Sequence, residues 1–228
     1  MAWFGLEHGK RAYQADFLFY GVVVMALAAT LLWHGRAGHG LQMLGCIALG
    51  LLLWTALEYA LHRWVLHGLQ PFARWHAEHH ARPRALIFAP TLLSASLLSG
   101  LVFLPALWLA GAWPAAELML GVLAGYLAYM VVHHADHHWH GGGRWRVQHR
   151  RRHARHHSRQ RDLPPGSYGV TTALWDHLCG SAQTARGPAG RAPLRLPKLE
   201  LAGVVGQHDL HAAVHLPPAR AVVAGHRE

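Results

Sequence analysis

Residues Leu41–His80, LQMLGCIALGLLLWTALEYALHRWVLHGLQPFARWHAEHH, decide how the chain folds. From Leu41 to Leu61 the stretch is almost wholly apolar, and at 21 residues it is long enough to cross a hydrocarbon core. It then turns to histidine: His62-x4-His67, followed by His76-x2-His79-His80. The same order recurs further on, where the apolar run Ala115–His134 leads into His133-x3-His137 and then His153-x2-His156-His157. Of the 22 histidines in the chain, fourteen lie between His62 and His157. Neutral imidazole is the common nitrogen ligand of iron, zinc and copper. Ten clustered imidazoles are too many for one ion and suit two.

Outward from this stretch, two further runs meet the span criterion: Phe17–Trp33 before it, and Leu86 to about Gly111 after it. The short turn 34–40 joins the first two spans, and Trp113 with Pro114 is expected to break the third from the fourth. Pro105 is expected to kink the third run. The chain therefore reads as an all-α membrane protein with about four transmembrane helices and a cytoplasmic, histidine-rich helical cap. Residues 1–16 form an N-terminal segment, 17–180 the membrane domain, and 181–228 a weakly ordered tail rich in Gly, Pro, Ala and Arg.

Composition agrees with that class. Hydrophobic residues make up 52% and charged residues 14%, which sets the chain apart from secreted and disordered proteins. Cys46 and Cys179 imply neither a disulfide framework nor a CxxC metal site. No signal peptide is read, because Glu7, Lys10, Arg11 and Asp16 precede the first apolar run. Cations favour the cytoplasmic side of spans. Lys10 and Arg11 precede span one, Arg63, Arg74, Arg82 and Arg84 separate spans two and three, and eight arginines fill 144–161. Only Arg36 falls in a loop of the other side. Both termini and all four clusters are therefore expected at the cytoplasmic face of a multi-pass protein. The arginine run emerges directly from a span and interleaves with histidines, so anionic lipid headgroups account for it better than nucleic acid does.

Spacing tells which ligands converge. Residues three and four apart share one helical face, as in the 76/79/80 and 153/156/157 triplets and the pair His133 and His137. His62 and His67 are five apart and splay on a regular helix, unless it ends or unwinds between them. Spans two and four then each deliver one pair, and the two intervening helices cap the pocket with a triplet each. Glu58, one turn before His62 in an apolar span, and Asp136, beside His137, are candidate carboxylates for orienting imidazoles through their second nitrogens. His134, His138, His140 and His149 read as supporting or surface residues; His8, His34, His39, His177 and His226 as interfacial; and His208, His211 and His215 as solvated tail residues.

The motifs resemble the fatty acid hydroxylase superfamily, most closely its fatty acid 2-hydroxylase branch. Carrying the resemblance are Glu58-Tyr59-x2-His62-Arg63-Trp64-Val65-Leu66-His67, His76-Ala77-Glu78-His79-His80, Gly125-Tyr126-x2-Tyr129-x3-His133-x3-His137-His138 and His153-Ala154-Arg155-His156-His157. A closing segment, Tyr168-Gly169-Val170-Thr171-Thr172-x2-Trp175-Asp176, follows. Sterol- and carotenoid-modifying relatives and lipid desaturases share similar boxes. The resemblance implies two iron ions held by His62, His67, His76, His79, His80, His133, His137, His153, His156 and His157, with O2 activated for oxygen insertion into a C–H bond of a membrane lipid, at C2 of an acyl chain. Zinc is redox-inert, so zinc in a purified sample reads as a substitute for iron. The eukaryotic 2-hydroxylases carry a fused cytochrome b5 domain for which the sequence shows no room, so a separate electron-transfer protein is expected. A metal store or transporter is the rival of another class. It calls for ionisable residues along a path through the spans, whereas these histidines sit at span ends on one side.

Overall fold

A computed structural model of the chain describes residues 7, 9–35, 38–158 and 166–183. The readings made for residues 1–6, His8, Arg36 and the tail beyond 183, with His208, His211, His215 and His226, lie outside these residues. Within them the protein is all-helical, with one isolated bridge between Glu7 and Ile87. Four helical rods are long and apolar enough to cross a membrane.

The first, α1 (Lys10–Trp33), begins well before the expected Phe17. Its polar first turns are anchored by long-range bonds: the Tyr13 hydroxyl lies 3.0 Å from His134 Nδ1, and the Thr91 hydroxyl donates to the Asp16 carboxylate. α2 (Gly40–Ala60) runs without a break into a π-helical turn, Leu61–Leu66. The third rod is α4 (Thr91–Leu98), a second π-turn at Ser99–Phe103, and α5 (Leu104–Ala110), forming one span from Thr91 to Ala110. Pro105 does not split it. A proline lacks the N–H for an i−4 bond and its ring crowds that carbonyl; here it enters the first turn of α5 directly after the wider π-turn. The break before α6 (Ala112–His138) falls at Gly111 rather than at Trp113 and Pro114. Gly111 adopts φ 83°, a conformation that costs only glycine little, while Trp113 and Pro114 sit in the opening turn of α6, where a proline's missing N–H has no partner to lose.

α6 is the central rod. Of its apolar window 56% is buried, against 11–17% in the other three, whose Leu32, Leu41, Leu92 and Trp108 point outward. An outward apolar surface of that extent is what a lipid environment requires. α2 and α6 touch backbone to backbone. A Cβ on Gly50 would collide with the Leu118 carbonyl, and one on Gly121 with the Ile47 carbonyl, while bare Gly125 admits the Trp54 ring. Beside this contact, Tyr126 meets Tyr20 edge-on at 4.7 Å and Trp54 at 5.0 Å, in a core completed by Leu98, Val102, Met119 and Met130. The close α2–α6 approach brings their histidine-bearing ends together. Over those ends lie the short polar helices α3 (Phe72–Ala81), α7 (Arg144–His157) and α8 (Leu174–Leu178).

Candidate metal centre

The five-residue spacing of His62 and His67 is resolved by the π-turn Leu61–Leu66. A π-turn closes bonds between residues five apart, so it keeps both imidazoles on one face without unwinding the helix. Their rings lie 5.3 Å apart and 29° from parallel. On α3, His76 and His80 are one α-turn apart with rings at 4.6 Å, and His79 points elsewhere. α6 presents His133 and His137, and α7 presents His153 and His157 on one face with His156 on another.

These faces meet as two groups of five. His62, His67, His76, His80 and His156 form one, and His79, His133, His137, His153 and His157 the other; within each group, one nitrogen per ring lies within 4.8 Å of the rest. Each group takes one pair from a spanning helix, but the two triplets do not stay whole. The first divides as 76/80 and 79, the second as 153/157 and 156. The groups adjoin where His80 stacks on His157 at 4.2 Å.

Bare nitrogens face one another at close range. In the first group His62 and His76 Nε2 are 3.0 Å apart, His76 and His80 Nε2 2.9 Å, and His67 and His156 Nε2 3.2 Å. In the second, His79 and His133 Nε2 are 3.1 Å apart, and His137 and His153 Nε2 2.8 Å. Around an ion with metal–nitrogen bonds of about 2.1 Å, neighbouring ligands at right angles stand about 3.0 Å apart. Two tautomers are set by the chain. His62 Nδ1–H donates to the Tyr168 carbonyl at 2.5 Å and His156 Nδ1–H to the Gly166 carbonyl at 2.9 Å, which leaves both Nε2 lone pairs aimed inward. Both ring nitrogens of His157 and Nδ1 of His79 are buried without a hydrogen-bond partner among the described residues. An orphaned buried polar atom is costly, and a cation bound by one nitrogen of His157 removes that cost for that atom. The donor set therefore fits a pair of transition-metal ions.

Electrostatics keeps the cap imidazoles neutral. Burial, reinforced by neighbouring imidazoles, lowers His67 to about 4 and His79 and His80 to about 3. His76, His153, His156 and His157 shift downward too, burial being the largest cause in each. For His156 the Gly166 carbonyl works in the opposite direction. Neutral rings are the ligating form.

The two candidate carboxylates do something other than expected. Among the described residues Glu58 makes no hydrogen bond to an imidazole; it accepts from the Val170 and Thr171 amides at 2.5 and 2.9 Å and from the Thr171 hydroxyl at 2.5 Å. Asp136 accepts from His149 Nδ1 at 2.9 Å rather than from His137, both side chains being at most 5% exposed. Arg152 donates to His149 Nε2 at 2.9 Å and to the Val170 carbonyl at 3.1 Å. Sequence reasoning missed the hub of these contacts. The 166–181 strap carries the carbonyls that orient His62 and His156, and Asp176 closes it by accepting from the Tyr168 and Gly169 amides at 2.8 Å and from the Ser181 hydroxyl at 2.7 Å. Its signal was visible in the closing segment Tyr168–Asp176, though not its role. His149 is buried, while His34, His39, His140 and His177 are exposed and belong to neither group.

A cavity of about 250 Å³ opens onto this assembly. His62, His76, His79, His133 and His137 line one side, and its walls descend between the spanning helices to Trp54, Leu97, Leu98 and Tyr126.

Comparison with known proteins follows the same lines. The profile of the fatty acid hydroxylase family matches residues 47–181. Two proteins of Arabidopsis thaliana are similar along the chain. The dihydroceramide fatty acyl 2-hydroxylase FAH2 is 32% identical over 59% of this chain and 59% of its own length, and the dihydroceramide fatty acyl 2-hydroxylase FAH1 is 26% identical over 80% and 84%. The chain thus spans about three fifths of the first of these relatives. Among solved structures, full-length Scs7p, with only its hydroxylase domain visible, superposes with a TM-score of 0.65 at 24% identity, covering 78% of this chain and 69% of that one, which establishes a shared fold.

Proposed function

Because the chain belongs to the fatty acid hydroxylase family, we propose that it inserts one oxygen atom at C2 of a membrane acyl chain. The observation that carries this reading is the meeting of two five-imidazole groups with one end of an apolar cavity. The names of the two plant relatives supply the position of attack. The ten grouped histidines would hold two iron ions, which when bound would supply the activation of O2 and the cleavage of a C–H bond. Zinc bound at the same rings leaves the protein inactive, because it is redox-inert.

The chain's own residues do the rest. The apolar walls from Trp54 to Leu98 accept the acyl tail and exclude water, which protects a strong oxidant from side reactions. In the balanced reaction one atom of O2 enters the C–H bond and the other leaves as water, taking up two electrons and two protons. A separate electron-transfer protein delivers the electrons. The arginine asymmetry of the loops supports an active site and both termini on the cytoplasmic side of the membrane. The catalytic membrane domain of residues 17–180 gains the first turns of α1 from Lys10, since Tyr13 lines its cavity, and the segment 181–228 follows it.

The test is expression in a host that lacks hydroxy fatty acids, with mass spectrometry of hydrolysed lipids. A gain of one oxygen at C2 of an acyl chain is expected. A loss of two hydrogens from the chain, or oxygen found only on an isoprenoid, overturns the proposal.

A further inference from the structure

An apolar tube cannot choose a carbon. Burial of methylenes is non-directional, so an acyl chain held only by aliphatic and aromatic walls slides without register. Attack at one position requires a directional contact at one end. The cavity has two unlike ends. It follows α6 from Tyr126 to His138, a rise of about 18 Å at 1.5 Å per residue, with His133 and His137 in the cap-side half. Its deep end, at Trp54, Leu97, Leu98 and Tyr126, is mainly aliphatic and aromatic, with Ser94 beside them. Its shallow end is lined by Tyr13, His134 and His138 beside Ile87 and Phe88.

Neither His134 nor His138 belongs to the two imidazole groups. The rings stack at 4.5 Å and 22°, and the Tyr13 hydroxyl sits 3.0 Å from His134 Nδ1. Among the described residues no hydrogen bond uses His134 Nε2 or either nitrogen of His138. Three unengaged ring nitrogens and a phenol thus stand at one end of a mainly apolar cavity, apart from the five grouped histidines that also line it and one residue along α6 from His133 and His137. Arg84 lies close enough to His138 to add positive potential.

We propose that Tyr13, His134 and His138 form a polar latch for the carbonyl end of the acyl substrate, and that this latch sets which carbon meets the metal side of the cavity. An imidazole or phenol donor holds a carbonyl oxygen at about 3 Å, and C2 is the first C–H-bearing carbon beyond it. The tail then lies toward Trp54 and the headgroup toward the cap. The inference rests on the acyl-lipid reading above and adds the residues that impose register. The shared chemistry is an acyl carbonyl, carried alike by a free fatty acid and by an amide-linked chain.

Binding to the metal-free protein in detergent separates this proposal from the activity itself. Palmitamide, palmitate and hexadecane are compared by competition against a fluorescent acyl probe. The wild type is expected to prefer at least one carbonyl-bearing probe over hexadecane by about tenfold, as one net hydrogen bond supplies; the stronger of the two names the source. His134→Ala/His138→Ala is expected to bind all three alike. His134→Ala/His138→Gln, which keeps an N–H donor at position 138, is expected to restore part of the preference. In the loaded enzyme the double variant is expected to keep its metal content and to spread hydroxylation from C2 to neighbouring carbons. A preference for carbonyl probes that survives in the double variant, or product that stays at C2 alone, overturns the latch. Absence of any hydroxylated product in the wild type, with the binding preference intact, counts against the hydroxylase reading and leaves the latch standing.

Discussion

The two imidazole groups have the same size, and each combines a pair from one spanning helix with rings from α3 and α7, yet they are supported differently. In the first, His62 and His156 are each tied through Nδ1 to a carbonyl of the 166–181 strap, and Glu58 and Asp176 hold that strap in turn. In the second, no ring has a backbone tie of this kind among the described residues, and His79 and His157 keep orphaned nitrogens. Its rings are placed instead by the α6–α7 hairpin, which the buried Asp136–His149–Arg152 chain pins together. The first group is therefore oriented before a metal arrives, and the second depends on the metal for part of its order. A lasso of loop carbonyls gives tighter control of ring orientation than helix placement alone.

The largest effect tests whether the groups are separate sites. His156→Ala removes a ligand from the first group and His79→Ala one from the second. Each is expected to abolish product and to lose about one of two bound irons by elemental analysis, since the remaining rings of that group lose a fixed partner. His39→Ala, on an exposed residue outside both groups, is expected to change neither. Full activity with two irons in His79→Ala ends the ligand assignment.

A middle-sized effect sharpens the asymmetry. Glu58→Gln keeps the size of the side chain but weakens its grip on Val170 and Thr171. Metal affinity of the first group is expected to fall about 10–100-fold, the usual cost of losing an outer support, with the second group retained. Asp136→Asn is expected to act on the second group and less strongly, because Arg152 still holds His149 and the strap. Competitive chelation, followed ion by ion, reads both. Equal loss from both groups in Glu58→Gln would dissolve the distinction.

The smallest effect is on the metal-free protein. Unfolded imidazoles take up protons near pH 6.5, whereas burial holds His67 neutral down to about 4 and His79 and His80 down to about 3. Over that interval the unfolded chain binds more protons, so stability is full above about pH 6.5 and falls as the pH drops toward 3–4. Thermal unfolding of metal-free protein in detergent should show a midpoint that declines steadily across that window. A flat profile would mean that the rings are solvated without metal.

Much of this was legible along the chain. The four spans follow from runs of apolar residues of membrane length, and the position of each histidine cluster at a span end or just beyond it was fixed by its number alone. Spacing of four correctly paired His76 with His80, His133 with His137 and His153 with His157, whereas the expectation that each triplet stays on one face failed at His79 and His156. Where boundaries moved, local chemistry explains it: Gly111 rather than Pro114 ends the third span because φ 83° suits glycine, and Pro105 passes because a π-turn precedes it.

Only the tertiary structure divided the ten rings five and five, split both triplets, turned Asp136 to His149, and gave Glu58 a loop to hold instead of an imidazole. The spacing of His62 and His67 also needed a π-turn that no sequence rule specified. The physical reason is locality. Helical periodicity determines how side chains are arranged around one axis. Which face of that axis meets which face of another depends on how closely the rods approach, and here Gly50 and Gly121 set that approach some twelve residues from the histidines they bring together.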